Sequence, residues 1–352
     1  MKLVYVGHKL PSRMLSNKDI ANLVEFETRK NNPNMTIPDT DRISKIVALL
    51  LRNTGAKERY WLDVDNDESP LEIIKSAITD ALKEVQCVDL VIYCSVDKYL
   101  LEPCSANVIC SLAKELYHVP TFDVTAGCDG WIKSLQIAQS FIKAGFYKRI
   151  MIVSAEFLIN NADSVYPKLF NIPTKEQLEY TFPGLTFGEA VTVTVVEDGG
   201  DDFMFKNITR NELSDLCTIT PHWYDKGKAK FDSKRINQSG PGGFVSYARE
   251  LFDNTWKNSQ FYTDFIDTVG RSNIDIVFTH ASSRKDWTEY CKFAKIDDKQ
   301  YDVYSMFGNC ISSSVPIAIS IATKEGKVKS GTGVLIITAS AGMSHSCVFF
   351  KL

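Results

Sequence analysis

The sequence predicts a layered α/β fold built from two duplicated halves, and two observations carry that reading. Apolar strand-like runs alternate with helix-period segments along the chain, the mark of sheets covered by helices. Residues 90–96, 149–156, 190–198, 275–281 and 333–341 read as strands, and 69–85, 105–117, 129–144, 243–257, 285–294 and 312–325 as helices. The first of these helices opens on SPLE, a serine with a glutamate three residues later, which is capping-box spacing. The second observation is an internal echo. Residues 123–155 run from Asp-Val through a Gly-Cys turn into a helix ending FIKAG, then a basic connection and the strand RIMIVSA. Residues 302–341 run from Asp-Val through YSMFGNC into a helix ending IATKEG, then KVKSGTG and the strand VLIITASA. A long motif that occurs only twice argues for duplication rather than a solenoid.

The echo divides the chain. Residues 1–198 form a first half and 242–352 a second, with 199–241, polar and irregular, expected as an inserted cap or loop. The 352 residues are 44% hydrophobic and 24% charged, enough apolar material for a sizeable core. A net charge of -3 gives no electrostatic case for nucleic acid. The N-terminal apolar run is broken by Gly7, His8 and Lys9 and does not read as a signal peptide. No apolar stretch approaches the roughly 20 residues that span a bilayer. A cytoplasmic protein without membrane partners is expected. The nine cysteines are odd in number and form no CxxC pair, so neither a disulfide framework nor a cysteine zinc site is expected. Cys87, Cys94 and Cys347 sit in or beside apolar runs and read as core residues. The five histidines are too scattered to suggest a metal site.

The stretch TFDVTAGCDGW, 121–131, puts Cys128 at the head of a helix between Gly127 and Gly130. A helix start offers unpaired N–H groups and partial positive charge, which favour a thiolate and lower the thiol pKa. The same N–H groups suit an oxyanion, and the small neighbours Ala126, Gly127 and Gly130 let a substrate and the backbone approach closely. A merely buried cysteine at a helix start fits this stretch equally well. The second half adds His280, at the end of the apolar run IVFT, and Asn309, at a glycine turn before a helix. Ala341-Gly342-Met343 makes a small-residue turn after the last long strand of the echo. Cys128 and Asn309 occupy nearly equivalent places in the two halves, so a divided site is expected between them.

Together these residues resemble the thiolase superfamily, most closely its β-ketoacyl-acyl carrier protein synthase III branch. LRNTGAKERYW (51–61), FDVTAGCDGW, FGEAVTVTVVED (187–198), THAS, FGNCISSSVP and SAGMSHSCVFFKL carry the resemblance over nearly the whole chain. It implies a five-layered αβαβα fold, usually a homodimer, with a Cys-His-Asn site. Cys128 takes the acyl group as a thioester. His280 and Asn309 bond the thioester carbonyl of a malonyl-type extender and stabilise the enolate left by decarboxylation. The N–H groups of Cys128 and Gly342 form the oxyanion hole. The resemblance implies no metal or other cofactor, and acyl thioesters on coenzyme A or an acyl carrier protein as substrates.

The departures from that pattern suggest a specialised pathway. Leu49 and Asn53 stand where the branch has a tryptophan and an arginine that grip coenzyme A, so a carrier-bound donor is expected. Glu189, Ala190, Val191 and Thr192 replace a glycine-rich strand. Glu102 lies near a loop that, in the family, often reaches into the partner's acyl tunnel. Glu156 ends the strand RIMIVSAE and reads first as a structural acid. It is also the candidate for an additional acid or base, which condensation followed by ring closure to cyclohexanedione or resorcinol products would need. Two other readings are acyl transfer to a hydroxyl or amine without carbon–carbon bond formation, and an inactive partner subunit of a condensing complex. Lys148, Arg149 and the basic residues from Lys226 to Arg235 are candidate contacts for an acidic carrier.

Overall fold

The computed structural model describes residues 1–160, 164–226, 231 and 233–352. Some of the basic residues between Lys226 and Arg235 therefore lie outside the described residues. The strands are β1 (Lys2–Lys9), β2 (Arg13–Ser16), β3 (Glu58–Trp61), β4 (Leu90–Tyr93), β5 (Thr121–Asp123), β6 (Arg149–Glu156), β7 (Ala190–Glu197), β8 (Met204–Thr209), β9 (Cys217–Ile219), β10 (Phe244–Ser246), β11 (Ile276–Thr279), β12 (Gln300–Tyr301), β13 (Gly333–Ser340) and β14 (Ser344–Lys351). The helices are α1 (Asn17–Asn31), α2 (Ile37–Thr54), α3 (Pro70–Val85), α4 (Ser105–Cys110), α5 (Gly130–Lys143), α6 (Lys175–Thr181), α7 (Ala248–Lys257), α8 (Ser259–Val269), α9 (Arg284–Ala294), α10 (Tyr304–Phe307) and α11 (Ser314–Lys324).

Two five-stranded sheets have orders β1-β7-β6-β4-β5 and β8-β14-β13-β11-β12. In each, the first two pairings are antiparallel and the last two parallel. The crossover helix α5 joins β5 to β6 and α11 joins β12 to β13, so the two halves repeat one topology. That repeat begins at β8, which pairs with β14 and holds the place in the second sheet that β1 holds in the first. The stretch 199–241, expected as an inserted cap, thus contributes the first strand of the second half. MFKNIT is a half-buried edge strand, and its mixed polarity hid it. The helix expected over 243–257 begins only at Ala248, because Phe244–Ser246 pairs with Cys217–Ile219. At the head of α3, Ser69 Oγ accepts from Glu72 N at 3.4 Å, one half of the expected capping box.

Strand alternation builds the layers, because successive side chains point to opposite faces of a sheet. Leu90 and Ile92 point into a central core with α5, α11, Ile276, Phe278, Val334 and Ile336. Val91 and Tyr93 point the other way and pack beneath α3 and α4. Val277, Leu335 and Ile337 face α8 and α9 on the far side. The result is five layers, αβαβα, with α5 and α11 in the middle. α11 is buried almost all round, as a helix between two sheets must be.

Glu189, just before β7, ties this frame to its surroundings. It is buried, with Oε2 accepting from Leu62 N at 2.6 Å and Oε1 from Ile159 N at 2.9 Å. Burial pushes its carboxyl up to about 8 against those two donors. A folded pKa above the unfolded value stabilises the fold at low pH and loses that contribution as pH rises towards 8. The urea midpoint is therefore expected to fall between pH 6.5 and 8.5. Glu189→Gln should lower the midpoint at pH 6.5, since an amide cannot accept both N–H groups, and should flatten the fall. Parallel curves for the two proteins would rule this out.

Candidate active site

Cys128 lies in a short 3-10 turn, Gly127–Asp129, that runs directly into α5. The turn from Ile311 to Ser313 runs likewise into α11. The two turns touch, so the duplicated crossover helices deliver Cys128 and the Asn309 loop to one place. His280 follows the last residue of β11, its N–H donating to Ile337 O at 3.2 Å. Cys128, His280 and Asn309 line a single cavity of about 570 Å³. Its walls are largely apolar and include Phe182, Phe187, Ile219, Phe244, Trp256 and Trp287.

The Asn309 loop is held by backbone contact with the segment before β7. Asn309 N donates to Thr186 O at 2.9 Å, and Gly188 N donates to Asn309 O at 3.1 Å. Gly308 has φ +64, and a Cβ there would stand 2.3 Å from Thr186 O, so the approach requires glycine. Asn309 Oδ1 accepts from Ile311 N at 2.9 Å, which leaves its Nδ2 as the side-chain donor for a ligand. Ile311 itself has φ +51. A β-branched residue in the left-handed region carries strain of about 1–3 kcal/mol, a cost typical of functional turns.

The electrostatics correct one expectation. Burial, then Cys217, Asp129 and Glu156, push the Cys128 thiol well above its ordinary range. A helix start stabilises a thiolate by about 2 kcal/mol at most. Cys128 is partly buried, and that burial outweighs the helix start, so its thiol is raised rather than lowered as expected. His280 is pushed down to about 4 by burial and is neutral at pH 7, able both to accept and to donate a hydrogen bond. Gly130 permits the close backbone approach expected of it: a Cβ there would stand 2.7 Å from the carbonyl oxygen of Cys94, just past the end of β4.

The remaining expected residues fall near the cavity. Gly342, with φ +75, follows the cavity-lining Ala341 in the turn between β13 and β14. Glu156 is buried behind the site. Its oxygens accept from Val96 N at 3.2 and 3.3 Å and from the Ser312 hydroxyl, and burial pushes its carboxyl up to about 8. It braces the cavity wall at Val96 against the turn that follows Asn309. Leu49 and Asn53 are exposed, while Thr54 lines the cavity. Cys94 and Cys347 are buried as expected, but Cys87 is exposed. It follows the end of α3, outside the sheet that buries Cys94. Cys217 and Asp129 went unread in the sequence. Cys217 lies in the polar stretch, and Asp129 was visible only as a charged residue beside the candidate nucleophile.

Comparison with known proteins finds related families and folds. The families described as 3-oxoacyl-[acyl-carrier-protein] synthase III and its C-terminal region match residues 122–168 and 267–352. A β-ketoacyl-[acyl-carrier-protein] synthase III of Rickettsia akari is 24% identical over 367 residues, covering 99% of each chain. The crystal structure of a 3-oxoacyl-[acyl-carrier-protein] synthase III from Aquifex aeolicus superposes with a TM-score of 0.75 at 22% identity, over 100% of this chain and 99% of that one. A variant of Xanthomonas campestris OleA with bound lauric acid and lauroyl-CoA gives 0.77 at 20% identity, over 99% and 98%. The fold is that of the thiolase superfamily.

Because the Cys128 thiol is partly buried and held above its ordinary range, iodoacetamide at pH 7 is expected to label exposed Cys87 first. Labelling of Cys128 should keep rising from pH 7 to 10 without a plateau, as read by peptide mass spectrometry. A plateau below pH 8 would instead indicate a resting thiolate.

Proposed function

Taking the chain as a divergent β-ketoacyl-[acyl-carrier-protein] synthase III-like protein, we propose that it is a decarboxylating condensing enzyme. The observation that carries this is the meeting of Cys128, His280 and Asn309 in one apolar cavity. Cys128 sulfur attacks an acyl thioester, the thioester bond breaks, and the Cys128 proton leaves on the departing thiol. A malonyl-type thioester then enters; a β-ketoacyl-type extender, with no carboxylate to lose, would instead have to give up an α proton. His280 and the Asn309 amide donate to the malonyl thioester oxygen, so the electron pair released with CO2 is held as an enolate. The enolate carbon attacks the acyl carbonyl, the C–S bond to Cys128 breaks, a β-ketoacyl thioester departs, and the Cys128 thiolate takes a proton from water to restore the thiol. The N–H groups of Cys128 and Gly342 serve as the oxyanion hole. The reaction as written consumes thioesters and a proton from water and needs no cofactor.

The apolar walls fit an aliphatic acyl chain. Exposure of Leu49 and Asn53, in place of a coenzyme A grip, favours donors and extenders on an acyl carrier protein. We place the enzyme in specialised lipid or polyketide biosynthesis in the cytoplasm, acting as a homodimer. Leu101 is 92% exposed in the loop that carries Glu102, an apolar tip suited to a partner subunit. Ring closure would draw on Glu156, but that carboxyl is engaged by Val96 and Ser312, so the geometry favours simple condensation. Asn309, with its amide oriented as a donor, argues against acyl transfer to a hydroxyl or amine. An intact Cys128 argues against an inactive subunit.

Cys128→Ala is expected to abolish acyl-enzyme formation. Asn309→Ala should still acylate but should lose at least about 100-fold in condensation, the scale of removing one oxyanion donor. Release of labelled CO2 from a malonyl carrier separates the two steps. Normal condensation by Asn309→Ala would refute the assigned role.

A further inference from the structure

Asp129 follows the nucleophile directly and is fully buried. Its Oδ1 accepts from Thr338 Oγ1 at 2.6 Å and its Oδ2 from Ser346 Oγ at 2.7 Å. Thr338 and Ser346 are direct partners across β13 and β14, so their hydroxyls flank the carboxylate from adjacent strands. Ser340, two residues along the same face of β13, accepts from Asp129 N at 3.2 Å and donates to Ala126 O at 3.4 Å. One face of a hairpin in the second half thus holds both the backbone and the side chain of the nucleophile turn in the first half. The same hairpin closes through Ala341 and Gly342.

A buried carboxylate beside a nucleophilic sulfur is costly, since its charge opposes the thiolate. Packing alone would be served by a small apolar residue. What the carboxylate adds is two directional hydrogen bonds that span the two halves.

We propose that Asp129 is a positioning residue, whose carboxylate clamps the Cys128 turn to the β13–β14 hairpin and so sets the sulfur in register with the Gly342 turn. This rests on Cys128 being the acylated nucleophile. The clamp acts through geometry: it fixes the distance between the attacking atom and the groups that receive the developing oxyanion. Misplacement of reacting groups by about 1 Å costs on the order of 100-fold in rate.

The test compares Asp129→Ala with Asp129→Asn, each checked for folding by thermal melting. Asn keeps the shape and one acceptor, and its amide can donate to a hydroxyl that rotates to accept. With a lauroyl acyl carrier protein as probe, Asp129→Ala is expected to acylate Cys128 on the order of 100-fold more slowly at unchanged KM, with Asp129→Asn restoring most of the rate. A folded Asp129→Ala that acylates at the wild-type rate would overturn the proposal. If Asp129→Ala does not fold, Thr338→Val, which removes one clamping hydroxyl, takes its place: acylation at the wild-type rate would overturn the proposal, and slower acylation at unchanged KM would support it. Should the wild type accept no thioester at all, the functional reading fails instead, and hydrogen exchange in the 126–129 turn, expected to be faster in Asp129→Ala, still tests the clamp, with unchanged exchange overturning it.

Discussion

The site depends on one constraint: α5 and α11 share one core between two sheets, with the 3-10 turns that lead into them in contact. Each helix is the crossover of a parallel βαβ unit, and its start is fixed by the ends of the strands it joins. Because the halves repeat one topology, both helix starts emerge at the same place. Neither half alone makes the site, since Cys128 comes from one and His280 and Asn309 from the other. The central core shared by both sheets is therefore what assembles the chemistry.

That arrangement sets the chemistry as well as the geometry. Enclosure in an apolar cavity suits an acyl chain, but it also removes water from Cys128. The helix start then offsets only part of the desolvation that raises the Cys128 thiol. The same burial keeps His280 neutral, the form that can bond an enolate oxygen without carrying a charge into the cavity.

Much of this was legible in the sequence because the strands of the two sheets are buried on both faces. Runs such as RIMIVSAE and GVLIITAS are long and β-branched, and the structure gives β6 the bounds read from the sequence. The echo between the helices was legible because duplicated crossovers keep the same turn and helix pattern. Partly exposed strands were not. MFKNIT and the short pair β9–β10 alternate weakly, so the second half was taken to begin too late. Cys128, His280 and Asn309 could be named from local motifs, and the structure places all three on one cavity. The state of the Cys128 thiol could not be read this way, because it depends on how many atoms from distant segments enclose it. The clamp on Asp129 was hidden for the same reason, its partners lying more than 200 positions away.

The central claim is that Cys128 takes an acyl group from a thioester inside this cavity. Intact-protein mass spectrometry after incubation with a panel of acyl-CoA and acyl-carrier-protein thioesters tests it most directly. The account predicts a mass gain equal to one acyl group, located on Cys128 by peptide mapping and larger from aliphatic carrier-bound donors. A folded protein that gains no mass from any thioester in the panel would contradict it.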